Sequence, residues 1–579
     1  MTIIGIDLGT TFSAVSVVAD GKPQIIPLGN DRIMPSVVGV SPDDKWLVGT
    51  PALNQWTLYP ERTVRSIKRK MGTEETVLHG LAEKPFRPEQ ISALILQHMK
   101  RFSEAYLQQD ITQAVITVPA YFSDAERRAT RLAGELAGLE VMRIINEPTA
   151  AALAYGMTVD ADEIALVYDL GGGTFDVSVV EMMAGIVDVR ASHGDTQLGG
   201  DDFDERLAQW LLEQFENQHA IDLRGNRQAL ARIRQAAEDA KIALSKDPFV
   251  WVKEEYLAEK NGMPLHMEIE VSRVQFISLI DDLLDRTLDS VEQVLKDSDI
   301  EQPDHVMLVG GSTYIPAVRE RITDFLGVSP RFDVNPSEAV ALGAGIQGAI
   351  IEGIDIDAIL VDITPFSLGI AIAEMMTFGG VIPDRYKVLI PRNSTIPTTQ
   401  KEAFATLHPE QTEVKVEVYQ GEHPTASDNT LLGAFVFDNL KPKSSGELAT
   451  FTVQFDLDVN GILNVQAVDR GSQQQTDITV RVDRQQVSQR DLSSEALPDV
   501  YLDFDEADDD QEDMTDDVTP ITDTMQREAD ILIARARELD ANALQDNIKA
   551  VEGALGAQDG ADLQVALEAL SDALFDLED

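Results

Sequence analysis

At 579 residues, 44% of them apolar, the chain is too long for one hydrophobic core, and several domains are expected. The formal net charge of −52 argues against non-specific nucleic-acid or anionic-membrane binding, because phosphate contacts need clustered Lys and Arg. Cysteine is absent, which excludes disulfides, thiolate metal sites and thiol catalysis. Met1 leads directly into a strand, without a basic segment followed by an apolar one. No window approaches the roughly 18 uncharged apolar residues of a membrane span; the richest, residues 349–376, is broken by Glu352, Asp355, Asp357 and Asp362. A cytoplasmic protein with neither nucleic-acid nor membrane partners is the expectation.

In chain order, Ile6-Asp7-Leu8-Gly9-Thr10-Thr11 reads as a strand ending in Asp, then a Gly/Thr turn, with a β-branched strand from Ser13 to Val18 behind it. Glycine in such a turn lets backbone N–H groups approach a phosphate, threonine hydroxyls add donors, and the aspartate suits the water shell of a divalent cation. Lys68 is a candidate cation for a terminal phosphate. Strand Ala114–Val118, helix Asp124–Leu136 and strand Val141–Ile145 follow, and the last delivers Glu147 ahead of Pro148, as suits a carboxylate at a cleft. About 160 positions after the first motif, Tyr168-Asp169-Leu170-Gly171-Gly172-Gly173-Thr174 repeats it, between strands Ile164–Asp169 and Phe175–Val180. Gly199-Gly200-Asp201 opens a helix, Asp201–Gln218. A second helix follows at Ala229–Leu244, and Gly310-Gly311-Ser312 comes after strand His305–Val309. Amides and dipoles at helix starts favour anions.

The run Asn146–Gly156 is echoed at Asn335–Gly345; both are Pro-containing entries into small-residue helices. Residues 1–354 therefore read as a layered α/β domain of two homologous halves clamping a nucleotide polyphosphate. Gly343-Ala344-Gly345-Ile346-Gln347-Gly348 fits G-x-G-x-x-G, but no strand precedes it, so it reads as helix packing; no G-x-x-x-x-G-K-[ST] is present.

Near residue 355 the pattern changes. Asp357–Asp362 is a short apolar run fenced by acids, and residues 363–483 alternate as strands: Glu413–Tyr419, Leu432–Phe437, Ala449–Leu457, Ile462–Val468 and Thr476–Val482. This predicts a β-sandwich. Asp456-Leu457-Asp458-Val459-Asn460-Gly461 resembles a calcium loop but has Ala467 at its twelfth position, so Asn460-Gly461 reads as a hairpin turn. Residues 499–517 hold eleven acids and no Lys or Arg, and a disordered acidic tether is expected over 484–518. Residues 519–579 return to helical periodicity, as three short helices.

Six motifs in this order resemble the 70-kDa heat-shock protein chaperones, the DnaK-type family, from Ile3 to about Val482. They are Gly5–Thr11, Val118–Phe122, Ile145–Ala151, Asp169–Asp176, Leu308–Thr313 and Asp362–Gly369. The resemblance implies a multidomain chain: an actin-like α/β ATPase domain, a linker (355–362), a β-sandwich peptide-binding domain and a small helical lid remnant. It implies ATP/ADP with Mg2+, and K+ as a companion cation. Asp7 and Asp169 would hold the metal through water with Asp176 nearby. Gly9, Thr10, Thr11, Gly171, Gly172, Gly173 and Thr174 would cradle phosphate, Lys68 would orient the attacking water, and Glu147 would place that water or the metal. Gly199, Gly200, Glu238, Lys241, Ser245, Gly310, Gly311 and Ser312 match the nucleotide-holding positions. Where many relatives carry an Arg beside the adenine, this chain has Tyr314.

By the same resemblance Pro119, Arg127 and Arg143 relay nucleotide state and receive a J-domain co-chaperone, while Ile359, Leu360 and Asp362 belong to the linker run, which couples the domains by adding to a sheet edge of the ATPase domain in one nucleotide state. Ile370, Phe404, Val414, Val416 and Phe451 would line the peptide pocket. The implied function is an ATP-dependent, stress-response chaperone that holds extended hydrophobic segments of unfolded proteins, served by a J-domain partner and a nucleotide exchange factor. A passive holdase with a weakened ATPase and an actin-like small-molecule kinase are the alternatives. The chain departs from the family pattern in a shorter Met71–Arg87 segment, small residues at Ala358 (linker) and Ala373 (pocket arch), a longer Glu374–Tyr386 loop and a reduced lid, from which faster peptide exchange is expected.

Overall fold

The computed structural model describes residues 2–476 apart from 79–84, 157–161, 184, 332–333, 355, 357, 377–379, 439, 441, 443, 445 and 470–474. It also describes Leu497, Pro498, Ala529, Ile533, Leu544, Ile548, Lys549, Val551, Leu567 and Leu570. The chain divides into two compact units, Met1–Leu502 and Asp503–Asp579.

Within the first unit, the duplication read from the sequence appears as two sheets with one connectivity. Ile3–Asp7 pairs antiparallel with Phe12–Ala19, which pairs antiparallel with Lys22–Ile26; on its other side Ile3–Asp7 runs parallel to Gln113–Val118, and that strand to Glu140–Asn146. In the second lobe Glu163–Leu170 pairs antiparallel with Phe175–Met183, then Ile186–Asp195, and runs parallel on its other side to His305–Val309 and Pro330–Arg331. The central strands are apolar and buried almost throughout, as strands covered on both faces must be.

Small residues bring the lobes together. Helices Glu147–Gly156 and Ala339–Glu352 lie between the sheets, in one core with Ile3, Val115, Ile145, Val167 and Val309. A Cβ on Gly343 would stand 1.7 Å from the carbonyl oxygen of Ala150, and one on Gly5 would stand 2.0 Å from the nitrogen of Gly345. Such distances exist only where both backbones are bare, so the G-x-G-x-x-G look-alike is a packing surface.

The second-lobe sheet does not stop at Ile186–Asp195. Ile359–Ile363, from the apolar run fenced by acids, adds parallel to that strand with Leu360 opposite Val187, and then pairs antiparallel with Thr395–Ile396. Beyond it stand two four-stranded sheets. One contains Val381–Ile390, Leu368–Met375, Val414–Gln420 and Thr430–Phe437; the other contains Thr398–Ala405, Thr450–Leu457, Leu463–Asp469 and Gln475–Thr476. Burial alternates strictly along Thr450–Leu457, the signature of a sandwich strand. The Asp458–Ile462 run closes a hairpin: the Gly461 amide donates to the Asp458 carbonyl oxygen at 3.0 Å, and Gly461 has φ 71°.

In the C-terminal unit the described Ala529 and Ile533, Leu544, Ile548 and Val551, and Leu567 and Leu570 are buried and recur three or four residues apart, the period of helix faces. The expected acidic tether lies outside the described residues save for Leu497 and Pro498, as does most of 519–579 and Asp357 of the linker run. No helix among the described residues is long and apolar enough to cross a membrane.

Candidate active site

The two Gly/Thr turns face each other. A Cβ on Gly172 would fall 1.7 Å from the Thr11 hydroxyl oxygen, and one on Gly173 would fall 2.4 Å from Thr10 Cγ2, so only bare backbone lets the turns meet. They open onto a cavity of about 650 Å³ whose wall includes Asp7, Gly9, Thr10, Thr11, Lys68, Glu147, Asp169, Gly171, Gly172 and Thr174. Gly173, Gly199, Gly200 and Asp176 stand behind that wall: Gly200 donates its amide to the Gly171 carbonyl at 3.0 Å, and Asp176 accepts from the Tyr121 amide at 3.1 Å. The residues expected to cradle phosphate are thus gathered from positions 9 to 200 around one space.

Electrostatics marks that space as short of positive charge. Burial, then the charge of Glu147, pushes the Asp7 carboxyl up to about 7, although Lys68 and a 3.0 Å hydrogen bond from the Thr117 hydroxyl pull the other way. Asp169 is pushed well above the carboxylate range by burial, then by Glu147, Asp176 and Asp7. Asp176 rises to about 7 for the same first two reasons. Lys68, itself buried, is ion-paired to Glu147 and lies 5.8 Å from the Phe122 ring centroid. One ammonium among these four acids leaves the cluster short of positive charge, although their carboxylates are not drawn together into a ready-made cation cage.

The far end of the cavity is lined by helix Arg227–Lys246 and the Gly310–Tyr314 turn. Glu238, Lys241 and Ser245 share one face of helix Arg227–Lys246. Glu238 is paired with Arg65 at 2.6 Å, and Lys241 with Asp204 at 2.7 Å; burial drives Asp204 up to about 7 against the opposing pull of Lys241. The Ser245 hydroxyl donates to the Lys241 carbonyl at 3.1 Å, and the Ser312 hydroxyl to the Gly171 carbonyl at 2.8 Å. Gly310 has φ 84°, where a side chain would be strained and would also press on the Leu170 carbonyl. Gly311 and Tyr314 complete that wall.

Behind Glu147 a second polar cluster joins the lobes to the sandwich. Asp362 is buried and accepts from Asn146 Nδ2 at 2.9 and 3.0 Å and from the Thr149 hydroxyl at 3.3 Å. Arg127 donates to Asn146 Oδ1 at 2.7 Å, to the Ala120 carbonyl at 3.0 Å and to the Asn460 carbonyl at 3.4 Å. Arg143 donates to Gln347 Oε1 at 2.9 Å, while Pro119 accepts from the Phe122 amide at 3.2 Å. Leu360 and Ala358 pack on the interlobe core, whereas Ile359 is exposed. Across the same seam Asp124 accepts from the Leu463 amide at 2.9 Å and Arg392 pairs with Asp297 at 2.7 Å.

The five residues matched to a peptide pocket share the sandwich core. Ile370, Val416 and Phe451 are buried there, while Phe404 and Val414 are half-buried against it. Ala373 is exposed on the hairpin whose loop departs from the family pattern.

Sequence reasoning missed several side chains that shape the cleft. Arg65 and Arg69 flank Lys68 in sequence. Arg69 reaches the Gly173 carbonyl at 2.9 Å and pairs with Asp202. Their basic cluster with Lys68 and Lys70 was a signal. Asp204 and Thr117 carried none, because each gains its role from a partner more than thirty residues away.

A family model described as Hsp70 protein matches residues 3–578. The chain is 46% identical to the chaperone protein DnaK of Thermotoga neapolitana over 500 residues, 85% of this chain and 82% of that protein. It is also 46% identical to the chaperone protein DnaK of Thermotoga petrophila over 488 residues, 83% of this chain and 80% of that protein.

Proposed function

The chain belongs to the Hsp70 family and is an ATP-dependent chaperone with ATPase activity, and we propose that it runs its cycle through the cleft and the linker strand described above. ATP lies between the lobes with its phosphates on the Gly9–Thr11 and Gly171–Thr174 turns and its adenosine on Glu238, Lys241 and Ser245. Water attacks the γ-phosphorus in line, the bond to the bridging oxygen of ADP breaks, and the proton leaves with the phosphate products. Lys68 neutralises charge developing on the γ-phosphate and Glu147 orients the water, so catalysis is positioning plus electrostatics. Asp7 and Asp169, with Asp176 behind them, would hold Mg2+ through water, and that ion when bound supplies the positive charge this cluster lacks. K+ would be a companion cation, as the resemblance implies.

Unfolded polypeptides in extended, hydrophobic form are the sandwich's clients, and a J-domain co-chaperone and an exchange factor act on the lobes, in the cytoplasm under stress. The holdase and small-molecule kinase alternatives are not favoured. The observation that carries the reading is the facing pair of turns with Lys68 and Glu147 between them, joined through Asn146 and Asp362 to the linker strand. Single-turnover ATP hydrolysis with and without an apolar peptide tests it. Hydrolysis accelerated by peptide, and peptide released by added ATP, are the expected results; a chain that turns over ATP indifferently to peptide refutes the coupling.

A further inference from the structure

The seam between the second lobe and the sandwich holds an imidazole whose surroundings suit its neutral form. His193 lies on Ile186–Asp195, the strand to which Ile359–Ile363 adds. Its ring meets that of Tyr121 at 5.2 Å between centroids, and Tyr121 in turn meets Phe366 of the sandwich at 4.4 Å. Nδ1 of His193 is buried and has no hydrogen-bond partner among the described residues. The charged groups around it are already engaged. Arg392, in the sandwich turn before Thr395–Ile396, pairs with Asp297 at 2.7 Å, and Asp297, at the end of helix Arg273–Ser298, also accepts from Gln293 Nε2 at 2.7 Å. Asp195, on the strand of His193 itself, pairs with Arg286. Glu422, which acts on Tyr121 from the sandwich, accepts from the Ser367 amide and hydroxyl, each at 2.8 Å. Asp176 accepts from the Tyr121 amide at 3.1 Å, and burial pushes the Tyr121 phenol up to about 12, so it stays neutral.

Resting on the reading that the linker strand joins and leaves the second lobe, we propose that His193 makes this seam acid-sensitive: the neutral imidazole fits the closed arrangement, and the imidazolium opens it. A neutral imidazole can leave Nδ1 as a bare lone pair among the rings. The imidazolium carries N–H on both nitrogens, and its Nδ1–H would be a buried, charged donor without an acceptor. It would also set a second cation beside Arg392, while the nearby carboxylates already have partners. Burial, and Arg392 with it, holds the His193 imidazole below its ordinary 6.5, against the opposing pull of Asp297 and Asp195. Once the seam opens, the ring regains water and its ordinary value. The closed arrangement therefore binds this proton less well than the open one; closure is undiminished above the ordinary value and weakens as pH falls through it. Acid thus acts on the coupling between domains without touching the nucleotide.

Amide exchange along Ile359–Ile363 in the full chain, measured in the nucleotide state that protects this strand best, reads the seam. The natural protein is compared with His193→Asn, and with His193→Gln as a second neutral variant, at about pH 5.5 and 7.5, one unit either side of the ordinary histidine value. Comparing chains at one pH cancels the intrinsic pH dependence of exchange. It also cancels the titration of Asp7, Asp176 and Asp204, which all the chains share. Whatever the offset at the higher pH, the natural-to-variant exchange ratio is expected to rise about three- to tenfold at the lower one, the upper end being the limit that linkage sets one unit below the ordinary value. Histidine-selective NMR gives an independent readout. The imidazole signal absent from His193→Asn is expected to titrate below the ordinary value while the strand is protected, and at that value where it is not. The switch is overturned if the exchange ratio is the same at both pH values, or if the imidazole titrates at its ordinary value in the protected state. If no nucleotide state protects Ile359–Ile363, the docking reading itself fails, and this inference with it.

Discussion

The side-chain oxygen of Asn460, at the tip of a sandwich hairpin, accepts the backbone amide of Ile144 at 2.9 Å, inside the parallel half of the first-lobe sheet. The two residues are 316 apart in sequence and both are buried. The hairpin tip thus completes a hydrogen bond for a strand of the other domain. Arg127 adds its contact to the Asn460 carbonyl, and Arg128 donates to the Leu463 carbonyl at 2.6 Å. Asn460→Ala leaves the Ile144 amide buried without a partner, which costs about 1–3 kcal/mol. Amide exchange at Ile144 and along Ile359–Ile363 is therefore expected to accelerate roughly ten- to a hundredfold in this variant. Unchanged exchange at both places would show that the seam is held elsewhere.

Lys68 and Glu147 form a buried ion pair, and removing one partner strands the other. Lys68→Ala is expected to destabilise the chain by about 3–5 kcal/mol and Lys68→Met with Glu147→Gln by much less. Both variants are expected to lose roughly two to three orders of magnitude in single-turnover ATP hydrolysis, the range seen when one stabilising donor is removed. Thermal melting beside hydrolysis separates the two roles. Hydrolysis restored in the double variant would remove Lys68 from the chemistry.

The acid cluster makes stability depend on pH with a definite sign. Asp7 and Asp176 have folded values near 7 against 3.8 ordinarily, so the unfolded chain releases these protons first. Their contribution favours the folded state at low pH and is lost as pH rises through about 7. Without nucleotide or Mg2+, Asp7→Asn is expected to melt increasingly above the natural chain as pH goes from about 5 to 8, while Mg2+ narrows the gap at the upper end. A melting difference that stays constant across that range would contradict the burial argument.

Close helix crossing gives a prediction far from the chemistry. Gly343→Ala places a methyl carbon 1.7 Å from the Ala150 carbonyl oxygen, too close for side-chain adjustment to relieve. The helices must part, and overpacking of this kind costs about 1–3 kcal/mol or more. A lower melting temperature together with weaker ADP binding is the expected outcome, because Glu147 begins the displaced helix. Neutral behaviour in both assays would mean the crossing is looser than its geometry.

Local physics made much of this chain legible before its structure. Helix Asp124–Leu136 was readable to the residue, and the structure shows Ser123 and Glu126 capping it reciprocally; strand His305–Val309 was readable because four apolar residues, Val306 to Val309, stand between turn formers. The facing of the two turns was readable from their identical chemistry. What stayed hidden was pairing over distance. Asn460 had a complete local explanation as a turn residue, and its second role depends on where Ile144 lies in space. Arg319 carried no signal in the sequence; only the fold brings it over Tyr314.

The packing of Gly5 against Gly345 also bears on synthesis. The strand that begins the first lobe is covered by a helix made about 340 residues later, and the Ser16 hydroxyl waits for the Ala341 carbonyl it bonds at 2.5 Å. At about 5–20 residues per second, a ribosome delivers that cover roughly 17–70 s after the strand itself. Strand Ile3–Asp7 therefore emerges long before the helix that covers it, and its apolar face must be shielded in some other way until then.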